Sequence, residues 1–169
     1  MEFMPDFALH RPTTSEEAVR LRSETDGALY VAGGTDMLVN VRRGIEQPTA
    51  LVDLSDIAEL KNITEDDEGL HIGAGVTLDV IANDPRVARD FTAIADAAAA
   101  VAGPTHQNYG TLGGNLCLDT RCLFYNQSEW WRKSNDYCLK ERGDICHVAP
   151  GGKRCFAAFS GDVAPAALI

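Results

Sequence analysis

The sequence predicts a mixed fold of helices and strands that carries a long, polar, cysteine-rich segment. In the first third of the 169 residues, strand-like runs such as 28–32 alternate with helix-like runs. The stretch FTAIADAAAAV at 91–101 is rich in alanine, the residue with the highest helix propensity. From 118 to 153 no helical or strand period persists, and so long a loop is usually functional or disordered. The length fits one large domain or two small subdomains.

Local signals predict the individual elements. Thr14 and Glu17 have the spacing of a capping box, which starts a helix. The acidic stretch 65–69 indicates an exposed hairpin turn or a subdomain boundary. In chain order we expect strands at 7–9, 28–32 and 50–54, helices at 14–25, 35–41 and 91–101, a helical turn at 57–60, and a further helix capped by Thr77 or Asp79.

Composition and charge exclude several classes of function. The formal net charge of −10 argues against a nucleic-acid binder, because phosphate neutralisation needs clustered Lys and Arg, and against binding to anionic membranes. No apolar run approaches the roughly 20 residues of a membrane span, and the N-terminus lacks the pattern of a secretion signal. We therefore expect a cytoplasmic protein, in which clustered cysteines are more often metal ligands or catalytic groups than disulfides.

Two glycine-rich turns, AGGTD at 32–36 and TLGGN at 111–115, offer the chemistry of phosphate binding. Glycine lets successive backbone N–H groups point at one phosphate oxygen. Each turn alone is more simply an ordinary tight turn, but two of them could clamp the phosphates of a dinucleotide. Neither turn fits Gly-x-Gly-x-x-Gly, which disfavours a Rossmann fold, and the lack of Gly-Lys-Ser/Thr excludes a P-loop.

Four of the five cysteines lie in the polar segment, at Cys122, Cys138, Cys146 and Cys155. Four thiolates complete the ligand set of an iron–sulfur cluster. The spacing lacks both the Cys-x2–4-Cys knuckles of structural zinc and the compact ferredoxin run, so it does not choose the metal. Zinc is the main alternative, and scattered buried thiols are the other. The fifth cysteine, Cys117, belongs to the second glycine turn.

Other residues of this segment each allow two interpretations. Trp130 and Trp131 could shield a cluster from water or bury against a partner subunit. His147 could replace a thiolate ligand, although a solvated neighbour of Cys146 is the simpler interpretation. The basic residues could steer an acidic electron carrier or form a solvated surface; they are Arg132, Lys133, Lys140, Arg142, Lys153 and Arg154.

The motifs AGGTDML, IGAG and GTLGGNLC, in this order, resemble the FAD-binding medium subunits of the xanthine oxidase and carbon monoxide dehydrogenase family. Within that family, the cysteine-bearing insert followed by SGDVAPAAL looks like the β subunits of 4-hydroxybenzoyl-CoA reductases. The resemblance covers essentially the whole chain. It implies an α+β fold of the PCMH type, with an N-terminal α/β subdomain at 1–65 and an incomplete α+β subdomain at 66–169 that contains the iron–sulfur insert at about 118–156. Family members continue beyond this point, so the resemblance implies a C-terminally truncated chain.

The same resemblance implies the site residues. FAD would lie between the subdomains, and Cys122, Cys138, Cys146 and Cys155 would bind a 4Fe–4S cluster. The segment Ala-Ser-Pro that often follows the GGN turn in the family is replaced here by LDTR at 118–121. No residue would be catalytic, and the residues that would hold FAD are Tyr30, Val31, Ala32, Gly33, Gly34, Thr35, Asp36, Met37, Val101, Thr111, Leu112, Gly113, Gly114, Asn115 and Asp162.

The function implied by the resemblance is electron transfer within a hetero-oligomer. Reduced ferredoxin would supply electrons, and the partners would be a molybdopterin-containing large subunit and a 2Fe–2S small subunit. The reaction, on the large subunit, would be reductive dehydroxylation of 4-hydroxybenzoyl-CoA to benzoyl-CoA. Two alternatives stay open: the flavin subunit of another molybdenum hydroxylase, and a nonenzymatic, zinc-stabilised binding module.

Overall fold

A three-stranded parallel sheet organises the N-terminal part of the structure, a computed structural model that describes residues 4–169. The strands lie in the order β1-β3-β2, and Ala8 and Ala28 both pair with Ala50. Parallel neighbours need a crossover, which α1 and α2 supply. The elements are β1 (Ala8–His10), α1 (Ser15–Glu24), β2 (Ala28–Val31), α2 (Met37–Arg42) and β3 (Ala50–Asp53). The three strands predicted here are confirmed.

Helix α1 packs on this sheet and begins close to the predicted residue. The Thr14 side chain accepts a hydrogen bond from the backbone N–H of Glu17, as in a capping box. The Glu17 carboxylate accepts from Thr13 N–H at 3.1 Å rather than from Thr14. Residues from the helix, the sheet and the following turn form one apolar cluster: Ala18, Ala28, Ala50, Val52 and Ile57.

An antiparallel hairpin follows, formed by β4 (Ile63–Asp66) and β5 (Gly69–Ile72). Two 3-10 helices, Leu54–Asp56 and Ala58–Lys61, lead into it. The acidic stretch forms the hairpin turn, as one of the two interpretations predicted.

Short helices complete the described part of the chain and enclose a second apolar cluster. Helix α5 confirms the alanine-rich helix, although it begins one residue after Phe91. The helices are α3 (Leu78–Asn83), α4 (Pro85–Asp90), α5 (Thr92–Ala100), α6 (Pro104–Tyr109), α7 (Leu112–Leu116), α8 (Glu129–Ser134) and α9 (Val163–Ala166). The second cluster contains Val76, Leu78, Ile81, Val87, Ala95, Ala98 and Val163.

The buried residues of the first apolar cluster precede the hairpin in the chain, and those of the second cluster follow it. The division into 1–65 and 66–169 stays a prediction, and residues 1–3 lie outside the described part. The segment 118–156 consists mainly of turns, with α8 inside it. Within residues 4–169, no helix is both long enough and apolar enough to cross a membrane.

Asp84 joins α3 to α4 and caps α4. Its carboxylate accepts hydrogen bonds from the backbone N–H groups of Arg86 (2.9 Å) and Val87 (3.4 Å) and forms an ion pair with the Arg86 guanidinium at 2.7 Å. The hydrogen bonds from Arg86 are the main cause that lowers the Asp84 pKa to about 2, while burial acts against them.

We expect Asp84→Asn to lower the Tm at pH 7, because asparagine keeps the shape but loses the charge that Arg86 and the helix N-terminus stabilise. Since the folded pKa lies below the ~3.9 of an unfolded aspartate, the stabilisation is complete above pH ~4 and disappears as the pH falls through about 2. Thermal unfolding at several pH values measures this, with the exposed Asp67→Asn as the control. A Tm difference that does not shrink between pH 7 and pH 2.5 contradicts the assignment.

Candidate functional site

A cleft of about 840 Å³ is lined by residues from both sides of the β-hairpin. This volume lies within the range of roughly 300–1,000 Å³ that is usual for small-molecule sites. One side is formed by the turn after β2 and by the 3-10 helices after β3. The other side is formed by residues around Thr77, by α6 and by the second glycine turn. The cleft therefore lies at the carboxyl ends of parallel strands, where open α/β sheets commonly bind ligands.

The first glycine turn closes one wall of the cleft. Gly34 has a φ of +73°, a conformation that L side chains rarely adopt. A Cβ atom added to Gly33 would overlap the carbonyl oxygen of Tyr109, which is the last residue of α6. The backbone of this turn thus lies directly against the chain that leads into the second turn.

The second glycine turn is held by hydrogen bonds on both sides. The Thr111 hydroxyl accepts from Gly114 N–H at 3.1 Å and caps α7. Gly113 N–H donates to the Ala74 carbonyl at 2.8 Å, and a Cβ on Gly113 would lie 2.9 Å from Ala74 Cβ. The Asn115 side-chain oxygen accepts from Val163 N–H at 3.0 Å, in the interior. The turn is therefore rigid before any ligand binds.

Most of the predicted cofactor residues line this cleft. Leu112 and Asp162 lie outside its lining: Leu112 packs against the second apolar cluster, and Asp162 precedes α9. Those that line it are Tyr30, Val31, Ala32, Gly33, Gly34, Thr35, Asp36, Met37, Val101, Thr111, Gly113, Gly114 and Asn115.

The sequence did not predict several other residues of the lining, among them Leu54, Ser55, Lys61 and Arg121. The sequence could have indicated Leu54 and Ser55, since they follow β3 just as the first glycine turn follows β2. Arg121 offered no comparable signal, because its place depends on a contact with a residue 85 positions earlier in the chain.

All four cysteines of the polar segment line one small cavity. Cys138 and Cys146 are buried, and all of the cysteines are free thiols. Within residues 4–169, no three His, Cys, Asp or Glu side chains lie close enough to share a single metal ion. Cys117 lines the cleft instead.

Backbone N–H groups point at two of these sulfur atoms. The pKa of the Cys146 thiol is lowered by the N–H of Ala149, and further by those of Phe156 and Val148, while burial acts against them. The N–H of Ala157 donates to Cys155 Sγ at 3.4 Å. The contacts at Cys146 favour its thiolate, which is the form that binds metal.

Aromatic side chains pack around the cavity. His147 is half-buried, lines the cavity and donates from Nε2 to the Tyr137 carbonyl at 2.6 Å. The Trp131 ring lies 6.2 Å from Phe124 and 6.5 Å from His147, centroid to centroid. Trp130, in contrast, is 76% exposed. The two tryptophans thus have different environments, and only Trp131 contacts residues of the cavity wall.

Arg132 is 1% exposed, and its interpretation as part of a solvated surface is wrong. Its guanidinium pairs with Glu129 (2.8 Å) and Glu141 (3.0 Å) inside the cysteine segment. It also donates to the carbonyls of Arg43 (3.1 Å) and Gly44 (2.9 Å), just after α2. Arg132 therefore fastens the cysteine segment to the N-terminal part of the chain.

The comparisons with known proteins agree with this geometry. Residues 5–169 match the model of the FAD binding domain in molybdopterin dehydrogenase. The chain is 37% identical over 116 residues to a putative xanthine dehydrogenase FAD-binding subunit of Escherichia coli K12, covering 68% of this chain and 40% of that protein. It is 35% identical over 115 residues to the nicotinate dehydrogenase FAD-subunit of Eubacterium barkeri, covering 67% and 39%, respectively.

Among solved structures, carbon monoxide dehydrogenase from Hydrogenophaga pseudoflava superimposes with a TM-score of 0.65 at 32% identity, over 68% of this chain and 40% of that one. The chain thus spans about two fifths of the length of these relatives. The α+β fold class predicted from the motifs is confirmed. The chain belongs to the family of FAD binding domains in molybdopterin dehydrogenases.

Proposed function

We propose that this chain is the FAD- and 4Fe–4S-containing electron-transfer subunit of a 4-hydroxybenzoyl-CoA reductase. Electrons from reduced ferredoxin and protons from solvent replace the ring hydroxyl of the substrate by hydrogen and release it as water. This reaction takes place on a molybdopterin-containing large subunit, with a 2Fe–2S small subunit as the third partner. The observation that carries the proposal is the common cavity of the four cysteines, directly beside the cleft of an FAD-binding domain.

The cleft has the features that FAD binding needs. The glycines of the first turn line the cleft, and the second turn is fixed by hydrogen bonds to its neighbours. FAD would be held by residues 30–37 on one side and by 111–115 on the other, with Val101 at the edge and Asp162 beyond the lining. FAD and the cluster supply the redox chemistry, while the protein binds and orients them.

The donor set of the cavity fits an iron–sulfur cluster. Four thiols line one cavity, backbone N–H groups favour the thiolate of Cys146, and the N–H of Ala157 donates to Cys155 Sγ. A zinc site requires the sulfurs to meet at one ion, at about 2.3 Å from it. Four thiolates would satisfy either group, so iron, sulfide and zinc analysis decides between a cluster and a single ion.

A second candidate is the flavin subunit of another molybdenum hydroxylase. The relatives in its favour are the xanthine and nicotinate dehydrogenase subunits, which are 37% and 35% identical to this chain. The two candidates share the FAD cleft and differ in the substrate of the large subunit.

The deciding experiment is anaerobic purification of the chain in its complex, followed by an absorption spectrum, by iron, sulfide and flavin analysis, and by an assay of 4-hydroxybenzoyl-CoA with a reduced low-potential donor. We expect flavin bands, about four irons per chain beyond those of the small subunit, and formation of benzoyl-CoA. A flavoprotein with the cluster but without dehydroxylation would indicate the second candidate. Zinc without flavin would indicate the binding module and contradict both.

Gly33→Ala should abolish or strongly weaken FAD binding. The added Cβ would overlap the carbonyl oxygen of Tyr109 and push the first turn away from the second. The flavin content of the purified protein measures the effect. Gly151→Ala is the matched control, because a Cβ at Gly151 meets nothing within 4 Å. Equal flavin content in both variants contradicts the role of the first turn.

Cys138→Ser should remove the iron–sulfur absorbance and leave FAD bound, since Cys138 lines the cavity and lies outside the lining of the cleft. Retained flavin also shows that the variant has folded. Cys117→Ser, which changes a cysteine outside the cavity, should keep the full iron content. If the cluster persists in the Cys138 variant, this ligand assignment is wrong.

A further inference from the structure

Arg121 connects the two sites of the chain. It belongs to the segment LDTR, which enters the cysteine region directly after the second glycine turn. Its side chain lines the cleft, whereas the next residue, Cys122, lines the cysteine cavity. Hydrogen bonds fix its backbone, because Arg121 and Ala158 exchange both N–H···O bonds, at 2.6 Å and 3.0 Å.

The Arg121 guanidinium pairs with Asp36, the last residue of the first glycine turn. It donates from Nη2 to Asp36 Oδ1 and from Nη1 to Asn40 Oδ1, the latter at 3.5 Å. The second oxygen of Asp36 accepts from Asn40 Nδ2 at 3.1 Å. Both carboxylate oxygens are therefore engaged by side chains, and Asp36 does not cap α2 with its own side chain.

The charge of Asp36 opposes a ligand that carries phosphates. Asp36 lines the cleft, and Glu46 and Asp119 lie near it: the pKa of Glu46 is raised by burial and by the negative charges of Asp119 and Asp36. Among the described residues that line the cleft, the permanent cations are Lys61 and Arg121, and Lys61 is exposed. Arg121 is the cation that meets the Asp36 carboxylate.

We propose that Arg121 is a positioning residue for FAD: by neutralising Asp36, it allows the first glycine turn to accept the flavin's diphosphate. The inference rests on the proposed FAD site and adds a residue that the family motifs do not include. The expected effect is specific to the diphosphate of FAD, because Asp36 would repel its negative charge, whereas the flavin ring carries no charge.

The test compares two ligands on the assembled protein after removal of its flavin. FAD carries the diphosphate, and riboflavin has the same ring without it. Binding of each is titrated by flavin fluorescence. Arg121→Met should weaken FAD binding by at least ~10-fold, as expected when one partner of a partly buried charge pair is removed, and should change riboflavin binding little. The control is Arg20→Met, which removes an exposed arginine paired with Glu24.

A double variant separates neutralisation from a merely structural role. Adding Asp36→Asn to Arg121→Met removes the uncompensated carboxylate, so it should restore most of the FAD affinity. Unchanged FAD binding in Arg121→Met, an equal loss for both ligands, or no recovery in the double variant each overturns the inference. Failure of the unsubstituted protein to bind FAD would overturn the proposed function itself, and the two failures are thus distinguishable.

Discussion

The contact between Gly33 and the Tyr109 carbonyl is the constraint on which the cleft depends. The two apolar clusters take their buried residues from separate stretches of the chain, before and after the hairpin. What brings the two glycine turns to one site is backbone packed directly against backbone, which leaves no room for a side chain at Gly33. The Gly75 N–H donates to the Leu60 carbonyl at 2.7 Å and so joins the segments that precede and follow the hairpin. Main-chain contacts thus hold the two glycine turns beside each other.

The cysteine segment differs from the rest of the fold, because it has little regular structure and contributes only Cys138 and Cys146 to the buried apolar residues of the described chain. Fixing each residue of such a segment costs about 1–2 kcal/mol of backbone conformational entropy, which other interactions must offset. Arg132 takes the place of a hydrophobic anchor. A buried guanidinium is costly unless it is paired and hydrogen-bonded, and here two carboxylates and the carbonyls of Arg43, Gly44 and Gln127 surround it. A cluster bound to the four thiols would add cross-links to the same segment, in the way that metal binding is coupled to folding elsewhere.

The sequence predicted those features that depend on local signals. The Thr14 cap, the hairpin at the acidic turn and the alanine-rich helix all follow from neighbours within a few positions, and each is found. Whereas the missed helix α4 has a local signal in its Asp84 cap and Pro85, other features that were missed depend on contacts over long distances. Helix α8 is one such case, as its six residues carry no apolar period and are held by Arg132 instead. Arg132 itself looked like a solvated charge, since nothing near it in the sequence indicates the carbonyls that it contacts. The spacing of the cysteines likewise did not predict that they line one cavity, and it did not identify the metal.

The order of the two sites along the chain has a physical consequence. Arg121 and Cys122 are neighbours, so the wall of the cleft and the wall of the cavity are joined by one peptide bond, and consecutive Cα atoms lie about 3.8 Å apart. A cysteine-bearing segment inserted anywhere distant from the second glycine turn would not have this property. Arg121 pairs with Asp36 of the first glycine turn, and Lys140, which lines the cavity, pairs with Asp119 at 2.7 Å. The backbone at 121–122 and the Arg121–Asp36 ion pair therefore link the two proposed cofactor sites.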